Sequence, residues 1–552
     1  MSGSGADPAP AVVPFGDRAL LVDTADMAAA HALAAVLDGR LTTGAAPAGI
    51  EEVVVGFATV VVVLAAHGAD LGACAAWVAE STSGPAAVGR DGRPPRTHVL
   101  PVVFDGADLA EVAVALRLPV DQVVDQLVSA RLEVAFVGFA PGFPYLTGLP
   151  AGLAALPRRP SPRTSVPAGS VAVAGGFASV YPRSTPGGWH LLGRTAESLF
   201  DPEVPPHSRV APGDRVRFTA TDDPVTDPST GTTRPPLVAP GPCLEVLEPG
   251  LATTVQDGGR RGCARLGVPA AGAADPRTLA LANLVVGNPA DAAGLECTAS
   301  GPTLRMVGDG HLAVVGVGDD AVDVTVDGHP VVDGTVLPLA DGQVVRIGRV
   351  RAGLRAYVGV AGGLETPVVL GSRSSDSLAG LGPGPLRAGD RLARGRPGRA
   401  RGRIAPEPGR PTGPVVLRVV GGPHGSPGGG LTSTTWRVGS AVDRIGVRLE
   451  AVDGPAPVAG GPRPSMPMVT GAVQVPPDGR PIVLLPDHAT VGGYPVVACV
   501  VTADLGRLGQ LRPGDEVAFV EVDQAGAAGA RDAGVRATAS RVTGWFPTVA
   551  GT

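Results

Sequence analysis

The chain contains no lysine: every one of the 45 basic residues among its 552 positions is arginine. Lysine is the residue that grips phosphate in a P-loop, forms Schiff bases with carbonyl compounds and carries biotin or lipoate. The sequence therefore excludes these chemistries for the chain itself, covalently attached biotin included. Any phosphate must instead be bound by arginine, by backbone N–H groups or by a metal ion.

Cysteine, charge and long apolar runs are also limited. The five cysteines are scattered without a CxxC pair, which is typical of a reducing cytoplasm, and the N-terminus lacks the features of a signal peptide. The net charge of −6 favours neither nucleic acid nor an acidic membrane as a partner. The longest apolar run, residues 53–66, is shorter than the roughly 20 residues of a spanning helix and rich in valine, so it predicts a buried pair of strands.

What the sequence does have is glycine and proline, 80 and 57 residues, with 44% hydrophobic residues. This composition argues against a mostly helical protein yet supplies enough apolar material for packed cores. Apolar periodicity predicts few helices: residues 26–37, a pair within 108–130 broken at Pro119, and residues 276–286. Three stretches without periodicity, 220–242, 393–414 and 523–538, predict linkers or a disordered tail. The fold class is therefore mainly β with an α+β beginning.

An internal repeat indicates duplicated β units. Thr185-Pro-Gly-Gly-Trp189 and Thr490-Val-Gly-Gly-Tyr494 each follow a strand pattern and lead into an apolar run. Gly-rich hairpins recur in many β proteins, but matching flanks are harder to obtain by chance. His190 and His488 flank the two copies and are candidate catalytic residues.

The first half concentrates the few aromatic rings in residues 136–189. The alternation of rings with Gly and Pro at 136–146 predicts a rigid loop that presents its rings, and nearby arginines and Gly-rich turns suit an anion such as carboxylate or phosphate. The alternative is barrel turns with packed aromatics. The candidate binding residues are Phe143, Tyr145, Arg163, Ser170, Tyr181, Ser184, Gly187, Gly188, Trp189 and Arg194.

The second half offers acids, amides and arginines around glycines. Carboxylates could hold Mg²⁺ with nucleotide phosphates, although single Asp and Arg residues are more often solvated or in turns. No HExxH, GxSxG or P-loop pattern is present, and the histidines lack metal-ligand spacing, so no protein metal site is predicted. Asp257 and Asp487 are catalytic candidates. The binding candidates are Gln256, Arg260, Arg373, Arg444, Gln474, Gly492, Gly493 and Tyr494.

Long motifs carry a family resemblance. GFAPGFPYLTGLP, RTSVPAGSVAVAG and YPRSTPGGWHLLGRT resemble the B-type subunit of bacterial ATP-dependent 5-oxoprolinase, the Kip-type inhibitor family also described as allophanate hydrolase subunit 1. LEPGLATTVQDGGRRG, DRIGVRLE and GAVQVPPDGRPIVLLPDHATVGGYP resemble the C-type subunit, a biotin-dependent carboxyltransferase-like family also described as allophanate hydrolase subunit 2. The chain keeps Arg373 of the Ser-Arg-Ser segment but departs from the family after it, where an aromatic and a Gly-Gly-Phe-Gly-like stretch are usual.

The resemblance implies a small N-terminal α/β domain and cyclophilin-like β-barrels, one in the B half and two in the C half. The expected domains are 1–92, 93–222, 243–395 and 415–522, with linkers at 223–242 and 396–414 and a tail at 523–552.

The resemblance also implies a function: opening of the 5-oxoproline lactam to glutamate with ATP, and with Mg²⁺ where phosphates need it, together with a separate A-type subunit of 5-oxoprolinase. In that hypothesis Arg163 and Arg194 bind anions, Tyr145, Tyr181 and Trp189 form a pocket wall, and Asp257 and Asp487 serve metal binding or proton transfer. Two alternatives stay open: carboxyl transfer to urea or a similar amide from a biotin carrier on another protein, and regulation of a histidine kinase. A homo-oligomer is compatible with each of them.

Overall fold

The computed structural model describes residues 11–65, 68–82, 94–223, 237–400, 402–405, 413–425, 430–453 and 463–543. Parts of the three expected linker or tail segments therefore lie outside the described residues. Within these ranges the chain is mainly β with few helices, and the predicted fold class is confirmed. No helix in the described ranges is both long and apolar enough to cross a membrane.

The chain opens with a four-stranded sheet in the order β1-β2-β4-β3 and two helices. The predicted strand pair is confirmed as the antiparallel hairpin of β3 and β4. The predicted first helix is confirmed as well, and it begins where the Asp26 side chain accepts a hydrogen bond from the Ala29 N–H at 2.8 Å. The elements are β1 Val12–Pro14, β2 Ala19–Asp23, α1 Met27–Thr42, β3 Ile50–Gly56, β4 Thr59–Leu64 and α2 Leu71–Ser81.

Valine runs through this hairpin without polar alternation because both faces of the sheet are buried. Val60 and Val62 pack with the helices and an aromatic cluster of the next domain, whereas Val61 between them packs with Met466 and Cys499 of the C-terminal barrel. Successive strand residues point to opposite faces, so a sheet covered on both sides needs apolar residues at every position. The N-terminal sheet thus joins the two halves of the chain.

A seven-stranded sheet follows, in the order β12-β9-β10-β7-β6-β13-β5, with a separate two-stranded sheet of β11 and β8. The predicted helix pair is confirmed: Arg117 ends the first helix in a left-handed conformation, and the second begins after Pro119. The elements are β5 Thr97–Val102, α3 Leu109–Leu116, α4 Val120–Ser129, β6 Leu132–Val137, β7 Pro144–Thr147, α5 Ala151–Ala154, β8 Arg163–Val166, β9 Ser170–Ala174, β10 Phe177–Val180, β11 Thr185–Gly187, β12 His190–Arg194 and β13 Arg215–Ala220.

The third region packs a six-stranded sheet, β20-β19-β22-β17-β14-β24, with a five-stranded sheet, β15-β16-β23-β18-β21, around one apolar cluster. Its helix α6 was predicted, and Asp275 caps it by accepting from Thr278 N at 3.1 Å. The elements are β14 Cys243–Glu248, β15 Ala252–Gln256, a 3-10 turn Ala264–Leu266, α6 Pro276–Val285, β16 Gly294–Thr298, β17 Thr303–Val307, β18 Gly310–Val315, β19 Val322–Val326, β20 His329–Val331, β21 Leu337–Leu339, β22 Val344–Val350, β23 Arg355–Val360 and β24 Arg391–Ala393.

The last region contains a closed barrel in the order β26-β33-β30-β31-β28-β27-β34, whose first and last strands pair in parallel. The short strands β29 and β32 form a separate antiparallel pair, and β25 pairs antiparallel with β35. The elements are β25 Arg403–Ile404, β26 Val415–Gly421, β27 Thr435–Val442, β28 Gly446–Asp453, β29 Met466–Pro467, β30 Ala472–Gln474, β31 Ile482–Leu484, β32 Val491–Gly492, β33 Val496–Val500, a 3-10 turn Thr502–Asp504, α7 Leu505–Gly509, β34 Glu516–Glu521, α8 Gln524–Arg541 and β35 Val542–Thr543.

The expectation of a disordered tail is wrong for residues 524–543, which form α8 and β35. Asp523 caps the helix by accepting from Gly526 N at 2.7 Å, and the alanine-rich sequence favours helix. The helix contacts the N-terminal domain, where Gln524 Nε2 donates to Gly16 O at 3.1 Å and Arg531 Nη1 donates to Asp17 O at 3.3 Å. Only Ala527 of the helix is buried, and the helix is held by its cap and by these contacts with the N-terminal domain.

Candidate functional site

The repeated TxGG units occupy equivalent places in the two halves. The first lies on β11, which pairs with β8, and the second begins with Thr490 and continues on β32, which pairs with β29. Each unit closely follows a proline and a charged residue, Pro182-Arg183 in the first half and Pro486-Asp487 in the second. The arginine stands two residues before its TxGG unit and the aspartate three residues before its own.

Arg183 reaches across to the C half, where it lies against Gly380. A Cβ atom at Gly380 would collide with the Arg183 guanidinium, so only glycine leaves room for that group. Burial lowers the pKa of Arg183, and the charge of Asp376 opposes that shift. The first half therefore contributes a cation to a turn of the second.

Asp376 is the centre of this turn. It is 3% exposed, and its Oδ1 accepts from Ala379 N at 2.7 Å. Burial, together with the charge of the neighbouring Asp487, raises the pKa of Asp376 to about 7, while Arg260 opposes the shift. Arg260 is 1% exposed; its Nη2 donates to Ser374 O and its Nε to Val369 O at 3.1 Å.

Several buried polar atoms around this turn have no protein partner. Unfilled buried donors and acceptors are costly, so a cluster of them marks a place where a small polar molecule can bind. We name Arg183, Arg260, Asp376 and Gly380 the junction site. The unpartnered atoms near the turn are Nη1 of Arg183 and of Arg260, Oδ2 of Asp376 and Oε1 of Gln256. The buried hydroxyls of Thr185 and Thr490, which begin the two TxGG units, also lack a protein partner.

A buried ion network supports the junction site. Arg444 donates to Glu296 Oε1 at 2.6 Å and to Asp487 Oδ1 at 2.9 Å, and Arg355 Nε lies 3.2 Å from Glu296 Oε1. Burial alone would raise the pKa of Glu296, but the charges of Arg444 and Arg355 hold it below its ordinary value. Ser377 N and Oγ also donate to Asp487 Oδ2, at 2.8 and 2.7 Å. Asp487 is thus saturated with donors and orients the 376–380 turn.

Asp257 has a comparable supporting position. Its oxygens accept from Ser372 Oγ at 2.6 Å, Ser374 Oγ at 2.5 Å, Arg373 N at 2.7 Å and Gly259 N at 2.8 Å. Burial acts to raise the pKa of Asp257, but these hydrogen bonds lower it below its ordinary value. The carboxylate ties the Ser-Arg-Ser segment to the Gln-Asp-Gly-Gly loop, and the Arg373 side chain donates to Thr366 O. In this arrangement both Asp257 oxygens are occupied by protein donors rather than open to a metal.

The expectation that the aromatic loop presents its rings is wrong, because the rings are buried against one another. Phe143 makes edge contacts with Tyr145, Tyr181 and Trp189 at centroid distances of 5.3, 5.1 and 5.5 Å. Burial raises the pKa of Tyr145 to about 12 and raises that of Tyr181 too. The N-terminal domain and Val491 of the C half cover this cluster. The rings pack the interface between the halves, and Tyr181 OH lies against Gly187.

The predicted anion-binding arginines of the first half are paired with acids. Asp108 Oδ1 accepts from Arg159 Nη1 and Arg163 Nη2, both at 2.7 Å, and Arg194 Nη2 lies 2.7 Å from Asp105 Oδ2. Arg163 Nη1 is nevertheless buried without a protein partner. The structure does not bring Arg163 and Arg194 onto one carboxylate.

The two candidate histidines differ in setting. His488 is buried, its Nδ1 hydrogen-bonds Ala489 O at 2.8 Å, and burial lowers its pKa, so the ring is neutral near pH 7. His190 Nε2 hydrogen-bonds Pro157 O at 3.0 Å, while Nδ1 is buried without a protein partner. Only His488 adjoins the junction site, as the neighbour of Asp487.

The remaining predicted residues are mostly structural in their contacts. Ser170 Oγ donates to Pro167 O at 2.8 Å, Ser184 Oγ lies 2.8 Å from Ser165 Oγ, and Gln474 Nε2 donates to Met468 Sδ at 3.2 Å. Gly188 and Gly493 approach the backbones of Arg159 and Arg463, Gly492 approaches Gln474, and Tyr494 is 37% exposed. Among the described residues, no group of three or more His, Cys, Asp or Glu side chains could hold a metal ion.

Sequence reasoning left two members of the junction site, Asp376 and Gly380, off the candidate set and did not single out Arg183. A signal for Arg183 was available, because a proline followed by a charged residue precedes both TxGG units, Pro182-Arg183 in the first half and Pro486-Asp487 in the second. For Asp376 and Gly380 no local signal existed: each owes its place to residues more than 100 positions away in the chain.

The comparisons with known proteins agree with this two-part construction. Residues 10–210 match the family described as "Carboxyltransferase domain, subdomain C and D", and residues 266–521 match "Carboxyltransferase domain, subdomain A and B". The chain therefore belongs to the carboxyltransferase-domain family and contains both subdomain pairs.

Particular relatives are components of 5-oxoprolinase. The chain is 35% identical over 296 residues to the C-type subunit of 5-oxoprolinase from Escherichia coli, covering 50% of this chain and 91% of that protein. It is 46% identical over 122 residues to the B-type subunit of 5-oxoprolinase from Bacillus subtilis, covering 22% of this chain and 50% of that protein. These matches are those expected of a chain that joins the two types of subunit.

Two further relatives complete the comparison. "Urea amidolyase" of Lachancea kluyveri is 32% identical over 317 residues, which cover 51% of this chain but only 17% of that much longer protein. The solved structure of TTHA0988 is 35% identical, with a TM-score of 0.78, and covers 93% of this chain and 99% of that one. The joined arrangement of both halves thus has a structural counterpart over nearly the full length.

Proposed function

We propose that the chain is the fused B–C component of an ATP-dependent 5-oxoprolinase, which opens the lactam of 5-oxoproline to glutamate together with a separate A-type subunit. The observation that carries this proposal is the pair of matches in a single chain, one to a B-type and one to a C-type subunit of 5-oxoprolinase. The lactam is an unreactive amide, and phosphorylation of its carbonyl oxygen by ATP would create a leaving group. The donors of the junction site suit a substrate that carries oxygen acceptors.

ATP, with Mg²⁺, is part of this proposal. A cleft of about 370 Å³ next to Asp257 is lined by Gly258, Gly259, Gly371, Arg261 and Asp291. The Gly259 N–H already donates to Asp257, so the phosphate donors here would be the Arg261 guanidinium and the backbone N–H groups of Gly258 and Gly371. Asp291 would repel a bare phosphate and accept it with Mg²⁺ between them. In a chain without lysine these residues fit a Mg²⁺-bound phosphate group.

The test is reconstitution. The purified chain and the A-type subunit should form ADP and glutamate when 5-oxoproline and MgATP are supplied, and neither protein alone should do so. Absence of lactam-dependent ADP formation by the mixture would refute the proposal.

Carboxyl transfer is a second candidate, favoured by the match to a urea amidolyase. Without lysine the chain would have to receive the carboxyl group from biotin carried on another protein. Transfer of labelled carboxylate from free carboxybiotin to urea would support this candidate, and a neighbouring gene for a biotin carboxylase, rather than for an A-type subunit, would point the same way.

A further inference from the structure

The junction site combines two kinds of unfilled hydrogen-bonding group. Nη1 of Arg183 and Nη1 of Arg260 are donors only, since a guanidinium remains protonated and has no acceptor. Oδ2 of Asp376 can accept a hydrogen bond or, when protonated, donate one. A ligand satisfies all three if it brings acceptor oxygens to the two guanidinium groups and a polar N–H or C=O group to Asp376, and a carboxylate joined to an amide does so.

The protein around these atoms holds them in place. Arg260 is fixed by its bonds to Ser374 O and Val369 O, and Asp376 by Ala379 N. Arg183 lies in the space that the missing side chain of Gly380 leaves open. Such pre-positioned groups lose little freedom when a ligand binds.

We propose that Arg183, Arg260 and Asp376 form the recognition subsite for a small carboxylated amide, with the guanidinium groups binding its carboxylate and Asp376 binding its amide. This deepens the proposed function and rests on it, since 5-oxoproline belongs to that chemical class. Arg183 comes from the B half and the other two residues from the C half, so the subsite is complete only where the halves meet. If the halves were separate proteins, each would hold part of it.

Dissection of the ligand tests the subsite. Calorimetry on the full chain, alone and with the A-type subunit, would compare 5-oxoproline with 2-pyrrolidinone, which lacks the carboxylate, and cyclopentanecarboxylate, which lacks the amide. Arg183→Gln should lower the affinity for 5-oxoproline and for cyclopentanecarboxylate by about tenfold or more, because hydrogen bonds to a charged group contribute more than neutral ones. The affinity for 2-pyrrolidinone should stay unchanged. Asp376→Asn should lower the affinity for the two amides, 5-oxoproline and 2-pyrrolidinone, and leave the affinity for cyclopentanecarboxylate unchanged.

The matched control is Arg305→Gln. Arg305 is half-exposed, its Nη1 lies 3.0 Å from Glu245 Oε2, and it is not a member of the junction site. It should bind every probe like the wild type, and thermal melting should confirm that all variants are folded. Wild-type affinity of both junction variants for all probes would overturn the subsite, as would the absence of binding by the wild type under both conditions.

The proposed function and the subsite can fail separately. If the reconstituted enzyme hydrolyses 5-oxoproline but Arg183→Gln leaves its KM unchanged, the subsite is refuted and the function stands. If the probes bind with the expected dependence on the variants but no lactam-dependent turnover occurs, the function is refuted and the subsite stands.

Discussion

Arg183 and Asp487, each directly after a proline that precedes a TxGG unit, both interact electrostatically with Asp376. Arg183 stands two residues before the first unit and Asp487 three residues before the second. The pair has opposite charges, so the segments before the two TxGG units supply one cation and one anion around Asp376. Arg183 keeps an unfilled donor, whereas Asp487 is saturated by Arg444 and Ser377. One copy of the repeat thus contributes a binding group, and the other contributes support.

Gly380→Ala tests the placement of Arg183. The new methyl group would meet the guanidinium and displace it, so the affinity for 5-oxoproline should fall. The control is Gly384→Ala: φ is +61° at Gly380 and +68° at Gly384, but no heavy atom lies within 4 Å of a Cβ at Gly384. Both variants should lose about 1 kcal/mol of stability from the left-handed conformation. Equal affinities of the two variants, measured by calorimetry, would contradict the placement.

Thr185→Val and Thr490→Val test whether the two buried hydroxyls are unpartnered within the protein. Replacing an unsatisfied hydroxyl by a methyl group of the same size should leave the melting temperature unchanged or raise it. Thr278→Val is the matched control, because Thr278 Oγ1 donates to Asp275 Oδ2 at 2.6 Å and its loss should cost about 1–3 kcal/mol. Similar losses of stability in all three variants would show that the Thr185 and Thr490 hydroxyls have partners.

Glu296→Ala tests the buried ion network. It would leave Arg444 and Arg355 without their shared carboxylate, and breaking a buried pair typically costs about 3–5 kcal/mol. Asp323→Ala removes an exposed ion pair with Arg351 and should cost no more than about 1 kcal/mol. Unfolding in urea would compare the stabilities of the two variants. Equal urea midpoints for Glu296→Ala and Asp323→Ala would contradict a supporting role for Glu296.

Asp376→Asn tests the environment of the central acid through pH. Because the folded-state pKa is about 7 and the ordinary value 3.8, the folded chain holds a proton that the unfolded chain has lost between these values. The contribution of Asp376 to stability therefore falls as pH rises from about 4 to about 7, by at most about 1.4 kcal/mol per pH unit. Asn stays neutral, so the variant should gain stability relative to the wild type across this window. The charged groups that face Asp376 are the same in both proteins: Asp487, Arg260, Arg444 and Arg183. If the stabilities of wild type and variant changed in parallel with pH, the raised pKa of Asp376 would be contradicted.

Local patterns predicted much of the fold, because caps, proline breaks and valine runs act over a few residues. The β3–β4 pair, the break at Pro119 and the recurrence of TxGG were all readable in this way. The aromatic loop was misread because burial of Phe143 and Tyr145 depends on the N-terminal domain and Val491, which the local alternation with Gly and Pro does not show. The tail was misread because its helix is held by contacts with Gly16 and Asp17, more than 500 positions away in the chain. Its Asp523 cap was a local signal that the absence of apolar periodicity outweighed.

The candidate site was predictable only in part. Asp257, Arg260, Arg444 and Asp487 drew attention as charged residues near glycines, but both acids accept hydrogen bonds from protein donors on both oxygens. The combination of Arg183, Asp376 and Gly380 depends on contacts between the two halves of the chain, which no single segment encodes.

The most direct measurement is steady-state turnover by the wild-type chain mixed with the A-type subunit of 5-oxoprolinase, with ADP and glutamate followed together. The account predicts that both products form in equal amounts, only when 5-oxoproline is present, and that Gly380→Ala lowers the rate at low substrate more than Gly384→Ala does. The absence of 5-oxoproline-dependent ADP, or carboxyl transfer from carboxybiotin to urea in its place, would contradict it.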